Sequence, residues 1–275
     1  MESNTKIGLI QMPVASKKEK NLSYAVQSIY ECTKQGAELI ILPEMFMCPY
    51  ANKDFPVYAE QAGEQTWKTL SNAAKNNGVF LIGGSMPERD GNQIFNTSFV
   101  FDPNGNEVAR HRKIHLFDID VKGGQSFKES DVFSPGDSIT MFEAFGIKIG
   151  LCLCFDMRFP ELSSIMTLND VQMIVVPAAF NMTTGPAHWE LLFRQRAVDN
   201  QLYTIGVAPA RDENGPYISY GNSIVASPWG DVIYRSDEKP TIIVIDIDLE
   251  MNKSIRSQLP LLSARRTDLY KVEEI

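Results

Sequence analysis

Hydrophobic positions along the chain cluster in short runs separated by amphipathic stretches. The runs "KIGLIQM" (6–12), "AELIILP" (37–43) and "GVFLIGGS" (78–85) predict buried strands. Between them, residues 17–35 carry helical spacing, with Leu22, Ala25, Val26 and Ile29 on one face and Gly36 placed to cap the end. Residues 64–77 repeat the helical pattern. "NTSFVFD" (96–102) and "EVARHRK" (107–113) flank a "PNG" turn and predict two joined strands. "FGIKIGLCLC" (145–154) predicts a strand and 159–169 a short helix. "VQMIVVPAA" (171–179), a helix over 187–199 and "LYTIGVAPA" (202–210) give a strand–helix–strand unit. "GNSIVASPWGDVIYRSD" (221–237) holds two strands around Pro-Trp-Gly, and "TIIVIDID" (241–248) is a last strand. This alternation, with several hairpins, predicts an α/β fold with a mixed sheet or sheets.

A chain of 275 residues has room for one large domain or two modest ones. No Pro/Gly/Ser-rich linker, repeat or low-complexity segment divides it, so a single domain over 1–275 is expected. The formal net charge of −8 argues against nucleic acid as the main partner. It leaves room for an anionic small molecule in a locally basic pocket. Cys32, Cys48, Cys152 and Cys154 fit no zinc framework, and no metal is expected. Sparse cysteines, no secretory leader and no apolar run near 18 residues lead to the expectation of a cytoplasmic protein with no membrane partner.

The stretch "GLCLCFDMRFPEL" (150–162) poses the chemical question. Cys152 and Cys154 would share one face of a strand. Cys154 comes last in the apolar run, where the chain must turn, and α/β sheets gather ligands at the carboxyl ends of their strands. Cys154 is therefore the better candidate nucleophile. The alternative is that both cysteines are small buried hydrophobes. A thiolate needs a base or a cation beside it. His111, His115 and His188 carry no local signature of a cysteine–histidine pair. Glu44 ends "LIILPE" and Lys113 ends "EVARHRK". Charged residues at strand ends are usually solvated, but these two with Cys154 would supply a base, an oxyanion stabiliser and a nucleophile.

"LPEMF", "RKIHLFD" and "GLCLCFDMRFPE" resemble the three signature regions of the nitrilase (carbon–nitrogen hydrolase) superfamily, and the similarity runs from "IGLIQMPV" to "RRTDLY". The resemblance implies a four-layer α-β-β-α sandwich with two mixed sheets, a homodimer joined through its α-faces, and no metal or organic cofactor. Position by position, it implies Glu44 as base, Lys113 as oxyanion stabiliser, Cys154 as nucleophile, and Glu129 as a second glutamate near the lysine. Within the superfamily, "HLFDID", "FNMTTGPAHWELLFRQRAVDNQLY" and "SPWGDV" are most similar to omega-amidases. The implied reaction is hydrolysis of small omega-amido keto acids, alpha-ketoglutaramate and alpha-ketosuccinamate, through a cysteine thioester. The alternative is another small amide, such as deaminated glutathione. "VKGG" at 121–124 departs from the Pro-Gly expected there. A substrate with a distal carboxylate needs a cation. Arg158 offers a bidentate fork, or else pairs structurally with Asp156 or Glu161. Phe155, through its backbone N–H, and Tyr50, Phe180 and Thr184 complete the candidate binding residues.

Overall fold

The computed structural model describes residues 4–275. Strand β1 (Asn4–Gln11) leads into α1 (Lys18–Lys34) and β2 (Leu39–Ile41), and α2 (Phe55–Tyr58) and α3 (Gln65–Asn77) precede β3 (Phe80–Ile82). Then come β4 (Met86–Asp90), β5 (Gln93–Phe101), β6 (Glu107–Arg112) and a small hairpin of β7 (Asp118–Asp120) and β8 (Ser126–Lys128). The second half runs β9 (Thr140–Ala144), β10 (Ile147–Leu151), α4 (Pro160–Leu168), β11 (Val171–Pro177), α5 (Gly185–Asn200) and β12 (Tyr203–Val207). It closes with β13 (Ile224–Ala226), β14 (Val232–Arg235), β15 (Thr241–Asp248) and α6 (Met251–Gln258).

Two large mixed sheets result. Among the described residues, the first has the order β15-β1-β2-β3-β5-β4, with β6 also on β5; the second has the order β14-β13-β12-β11-β10-β9. Each has a parallel core, β1-β2-β3 and β10-β11-β12, with antiparallel neighbours outside. Strand alternation explains the layering. Ile7, Leu9, Leu39 and Ile41 of the first sheet meet Ile149, Leu151, Val175 and Ile205 of the second in a shared core. Opposite faces take the helices: Leu22, Ala25 and Ile29 of α1 pack with Leu70 and Ala74 of α3 around Ile40 and Leu81. Leu162 and Met166 of α4 pack with Trp189 and Phe193 of α5 around Ile174 and Val176. The result is the expected α-β-β-α sandwich. At Gly8, α1 lies so close that an added Cβ would come within 2.9 Å of Cys32 Sγ.

The strands stop earlier than their apolar runs. β2 ends at Ile41, β3 at Ile82 and β10 at Leu151, so "LPE", "GGS" and "CLC" leave the sheets instead of extending them. Four elements, α2, β4, β9 and α6, and the hairpin β7–β8 lie outside the expected set. Cys152 and Cys154 accordingly do not share a strand face. Cys152 is still tied to β11 through its N–H to Val175 O (3.0 Å), while Cys154 opens a 3₁₀ turn, Cys154–Arg158.

Candidate active site

Five segments that follow strand ends converge on one buried site. Glu44 follows β2, Lys113 follows β6, Glu129 follows β8, Cys154 follows β10 and Ala179 follows β11. Glu44, Lys113 and Glu129 are wholly buried, and Cys154 nearly so, which removes the solvated-surface reading of the charged residues. Two of the segments kink sharply. Met45, directly after Glu44, has φ 52°, and Cys154 has φ 44°. A left-handed conformation at a non-glycine residue costs about 1–2 kcal/mol and persists where surrounding contacts fix it. The turn under Glu44 is shaped by Gly84, where an added Cβ would sit 2.1 Å from Pro43 O.

The Lys113 ammonium ties the carboxylates together. Nζ donates to Glu44 Oε1 at 3.0 Å and reaches Glu129 Oε1 at 3.1 Å and Oε2 at 2.9 Å. Asn96 Nδ2 donates to Glu44 Oε1 (2.9 Å) and Glu129 Oε1 (3.3 Å). The second oxygen of Glu44 accepts the Ala179 N–H at 2.8 Å, and that of Glu129 accepts the Phe117 N–H at 2.7 Å. Tyr50 OH donates to Glu129 Oε1 at 3.1 Å. Both carboxylates thus face donors on every side. Glu129 spends its oxygens on protein groups, which fits orienting Lys113 better than gripping an amide.

Burial pushes the Glu44 carboxyl above its ordinary range, with Lys113 pulling it back and Glu129 pushing it further up. Burial, and then the Glu44 charge, also push the Cys154 thiol well up, while Lys113 and the Ala179 N–H oppose. The upward pushes outweigh the pull of Lys113, which disfavours the thiolate. A carboxylate beside the thiol that can take the proton is the matching requirement. On Lys113, burial is outweighed by Glu129 and Glu44, and the ammonium stays charged.

Arg158 leaves the nucleophile turn on the Cys154 side. Its guanidinium lies 4.8 Å from the Phe180 ring centroid and 5.6 Å from that of Phe155. Nη1 donates to His188 Nδ1 (3.1 Å), and the buried Nε–H has no partner. The pairing with Asp156 or Glu161 does not form. Asp156 is taken by His111 and His115 (2.9 and 2.8 Å), and among the described residues no carboxylate pairs with Arg158. None of the histidines is placed as a base for Cys154, since two hold Asp156 and the third holds Arg158. Phe180 is core, buried and packed edge-on against Trp189. Thr184 binds Asn181 Oδ1 through both N–H and Oγ and starts α5.

A cavity of about 690 Å³ opens beside Glu44, lined also by Tyr50, Ala179 and Tyr217. The Tyr50 and Tyr217 rings lie 4.5 Å apart, and Tyr217 OH donates to Ala179 O. Cys154, Phe155, Arg158, Phe180 and Thr184 do not line this cavity. Of the expected binding residues it therefore contains only Tyr50. The "VKGG" turn packs on the segment before α5: Gln125, just after it, accepts from Asn181 Nδ2, and Gly124 lies against Thr183. Asn96 and Tyr217 are site residues that the sequence does not single out, while Asp156 and His188, weighed there as an ion-pair partner and a base, hold the histidines and Arg158 instead. Their signal is spatial, because each comes from a segment distant from the residue it supports. Among the described residues no group of three or more His, Cys, Asp or Glu is placed to hold a metal ion, and no helix is long and apolar enough to cross a membrane.

The chain is similar to known proteins in both sequence and fold. The carbon-nitrogen hydrolase family pattern matches residues 6–257, and the chain belongs to that family. It is 48% identical over 269 residues to an omega-amidase of Xenopus tropicalis, covering 98% of each chain. It is 46% identical over 268 residues to an omega-amidase of Homo sapiens, covering 98% of this chain and 97% of that one. Among solved structures it resembles Saccharomyces cerevisiae Nit3, a member of branch 10 of the nitrilase superfamily, with TM-score 0.88, 36% identity and coverage of 96% and 97%. It also resembles the C. elegans NitFhit protein, with TM-score 0.89 and 29% identity, covering 98% of this chain and 66% of that one.

Proposed function

We propose that the protein is an omega-amidase that hydrolyses the terminal amide of small keto acids carrying a distal carboxylate, alpha-ketoglutaramate and alpha-ketosuccinamate. The observation that carries the substrate class is Arg158. A half-buried guanidinium four residues past the candidate nucleophile, desolvated, with an unpaired Nε–H and no acidic partner among the described residues, is suited to pairing with an anion. A carboxylate ligand supplies the missing counter-charge and accepts in bidentate fashion. The similarity to omega-amidases supports the same reading.

In this reading Glu44, Lys113 and Cys154 are the catalytic residues. Glu44 takes the Cys154 proton as the sulfur attacks the amide carbon. Two of the three ammonium protons of Lys113 are directed at Glu44 and Glu129. The third, with the Phe155 backbone N–H, faces the developing oxyanion. The carbon–nitrogen bond breaks as Glu44 returns its proton to the nitrogen, which leaves as ammonia. Glu44 then deprotonates a water that attacks the thioester carbon. The acid is released, and the proton goes back to sulfur. Glu129, Asn96 and Tyr50 hold Lys113 and Glu44 in register. No metal or organic cofactor enters any step.

We assign the whole chain to one domain, since the two sheets share a core. A homodimer through the α-faces is supported by α5, whose outer surface exposes Leu191 and Val198 next to Trp229. A reducing, cytoplasmic setting is supported by four free, buried thiols. The experiment for the function is ammonia release from a panel of amides. Turnover of alpha-ketoglutaramate well above that of deaminated glutathione and of neutral amides is expected. Preference for a neutral amide would defeat the assignment.

A further inference from the structure

Asp156 is wholly buried and accepts hydrogen bonds from both sides of the site. Oδ1 takes the His115 backbone N–H at 2.9 Å and His115 Nδ1 at 2.8 Å. Oδ2 takes His111 Nε2 at 2.9 Å and the Leu153 N–H at 3.1 Å. A carboxylate only accepts, so each facing ring nitrogen is the donor. His111 and His115 stand two residues before and two after Lys113. Leu153 and Asp156 stand one before and two after Cys154. One side chain therefore joins the segment of the ammonium to the turn of the nucleophile. The outer ends of this clamp are fixed in turn. His111 Nδ1 meets Thr140 Oγ1 at 3.0 Å, and the His115 ring stacks on Phe159 with centroids 3.6 Å apart and planes 12° apart.

The strain at Cys154 shows why such a clamp matters. A left-handed cysteine relaxes unless its neighbours prevent it, and relaxation would swing Sγ away from Glu44 and Lys113. The Leu153 N–H bond to Asp156 holds the entry to that turn, and the His115 bonds keep the lysine segment against it. Neither histidine touches the reacting atoms. We propose that Asp156, through His115 and His111, is the positioning residue that sets the distance between the Cys154 sulfur and the Lys113 ammonium. The proposal rests on the catalytic roles given above to Cys154 and Lys113.

The test uses His115, because its ring can be kept while its donor is removed. His115→Phe preserves the stack on Phe159 and loses the Nδ1 bond. His115→Asn keeps a side-chain donor near the Nδ1 position. Steady-state kinetics with alpha-ketoglutaramate, normalised to folded protein by circular dichroism, should show kcat for His115→Phe reduced at least about 10-fold, as small misplacements of reacting groups do. KM should stay within about twofold, because His115 acts through position and not through substrate contact. His115→Asn should recover kcat to within about threefold of wild type, and iodoacetamide labelling of Cys154 should move to higher pH in His115→Phe alone. Asp156→Asn, if folded, should lose more than His115→Phe. Wild-type kcat in His115→Phe, equal losses in the Phe and Asn variants, or a change confined to KM overturns the proposal. A Cys154→Ala control separates the two ideas. If it still turns over, the catalytic reading is wrong. If it is inactive while His115→Phe is unimpaired, only the clamp is wrong.

Discussion

Glu44 and Lys113 are joined by a 3.0 Å hydrogen bond across 69 residues of sequence, with both side chains fully buried. Removing one partner of such a pair strands the other. The two variants should therefore fail differently at the thiol. Lys113→Ala removes the cation that opposes the upward shift of Cys154, so alkylation at neutral pH should slow and recover at higher pH. Glu44→Gln removes an anion that raises the thiol, so alkylation should quicken or hold steady. Labelling by iodoacetamide across pH, followed by peptide mass spectrometry, reads both. Two profiles that coincide with wild type would show that neither group adjoins the sulfur.

Cys154→Ala should abolish ammonia release. Cys152→Ala should retain most of it, with a packing cost of about 1–2 kcal/mol from its fully buried site. The assay is turnover alongside urea denaturation. Activity in Cys154→Ala contradicts the assignment.

The strand-end logic that separated these two cysteines illustrates what was legible. "LPE", "HRK" and "CFD" each close a predicted strand, and each places a buried ionisable side chain just past the end of the observed one. The sequence misplaced where those strands stop, because Pro43, Gly83 and Gly84 and the Cys154 kink end pairing inside the apolar text. It also missed the supports. Asn96 sits mid-strand in β5, and nothing in "IFNTSF" distinguishes a residue facing two glutamates from one facing solvent. Arg158 was visible as a candidate, but its freedom from Asp156 depends on His111 and His115 having claimed that carboxylate.

Acid should switch the enzyme off at a pH above the ordinary carboxyl range. In the proposed mechanism Glu44 accepts a proton and must be deprotonated to do so, and its carboxyl is pushed up by burial. As pH falls through that raised value the proton stays on Glu44, and kcat/KM declines. A kcat/KM profile down to pH 4 checks this. A flat profile to that limit would mean that Glu44 is not the base.

Arg158→Met should raise KM for alpha-ketoglutaramate by about 10- to 100-fold, the range for losing a hydrogen bond to a charged group. The same variant should leave KM for a neutral amide within about twofold. An equal effect on both substrates would assign Arg158 to packing on Phe155 and Phe180 instead.

If the buried Glu-Lys-Cys site cleaves an omega-amide as proposed, the acyl group must pass through a thioester on Cys154. The most direct measurement is acid quenching of the enzyme during turnover of alpha-ketoglutaramate, followed by proteolysis and mass spectrometry. A single 4-carboxy-4-oxobutanoyl thioester is expected on the peptide bearing Cys154, and none in Cys154→Ala. Ammonia release at full rate with the acyl group on another residue would contradict it.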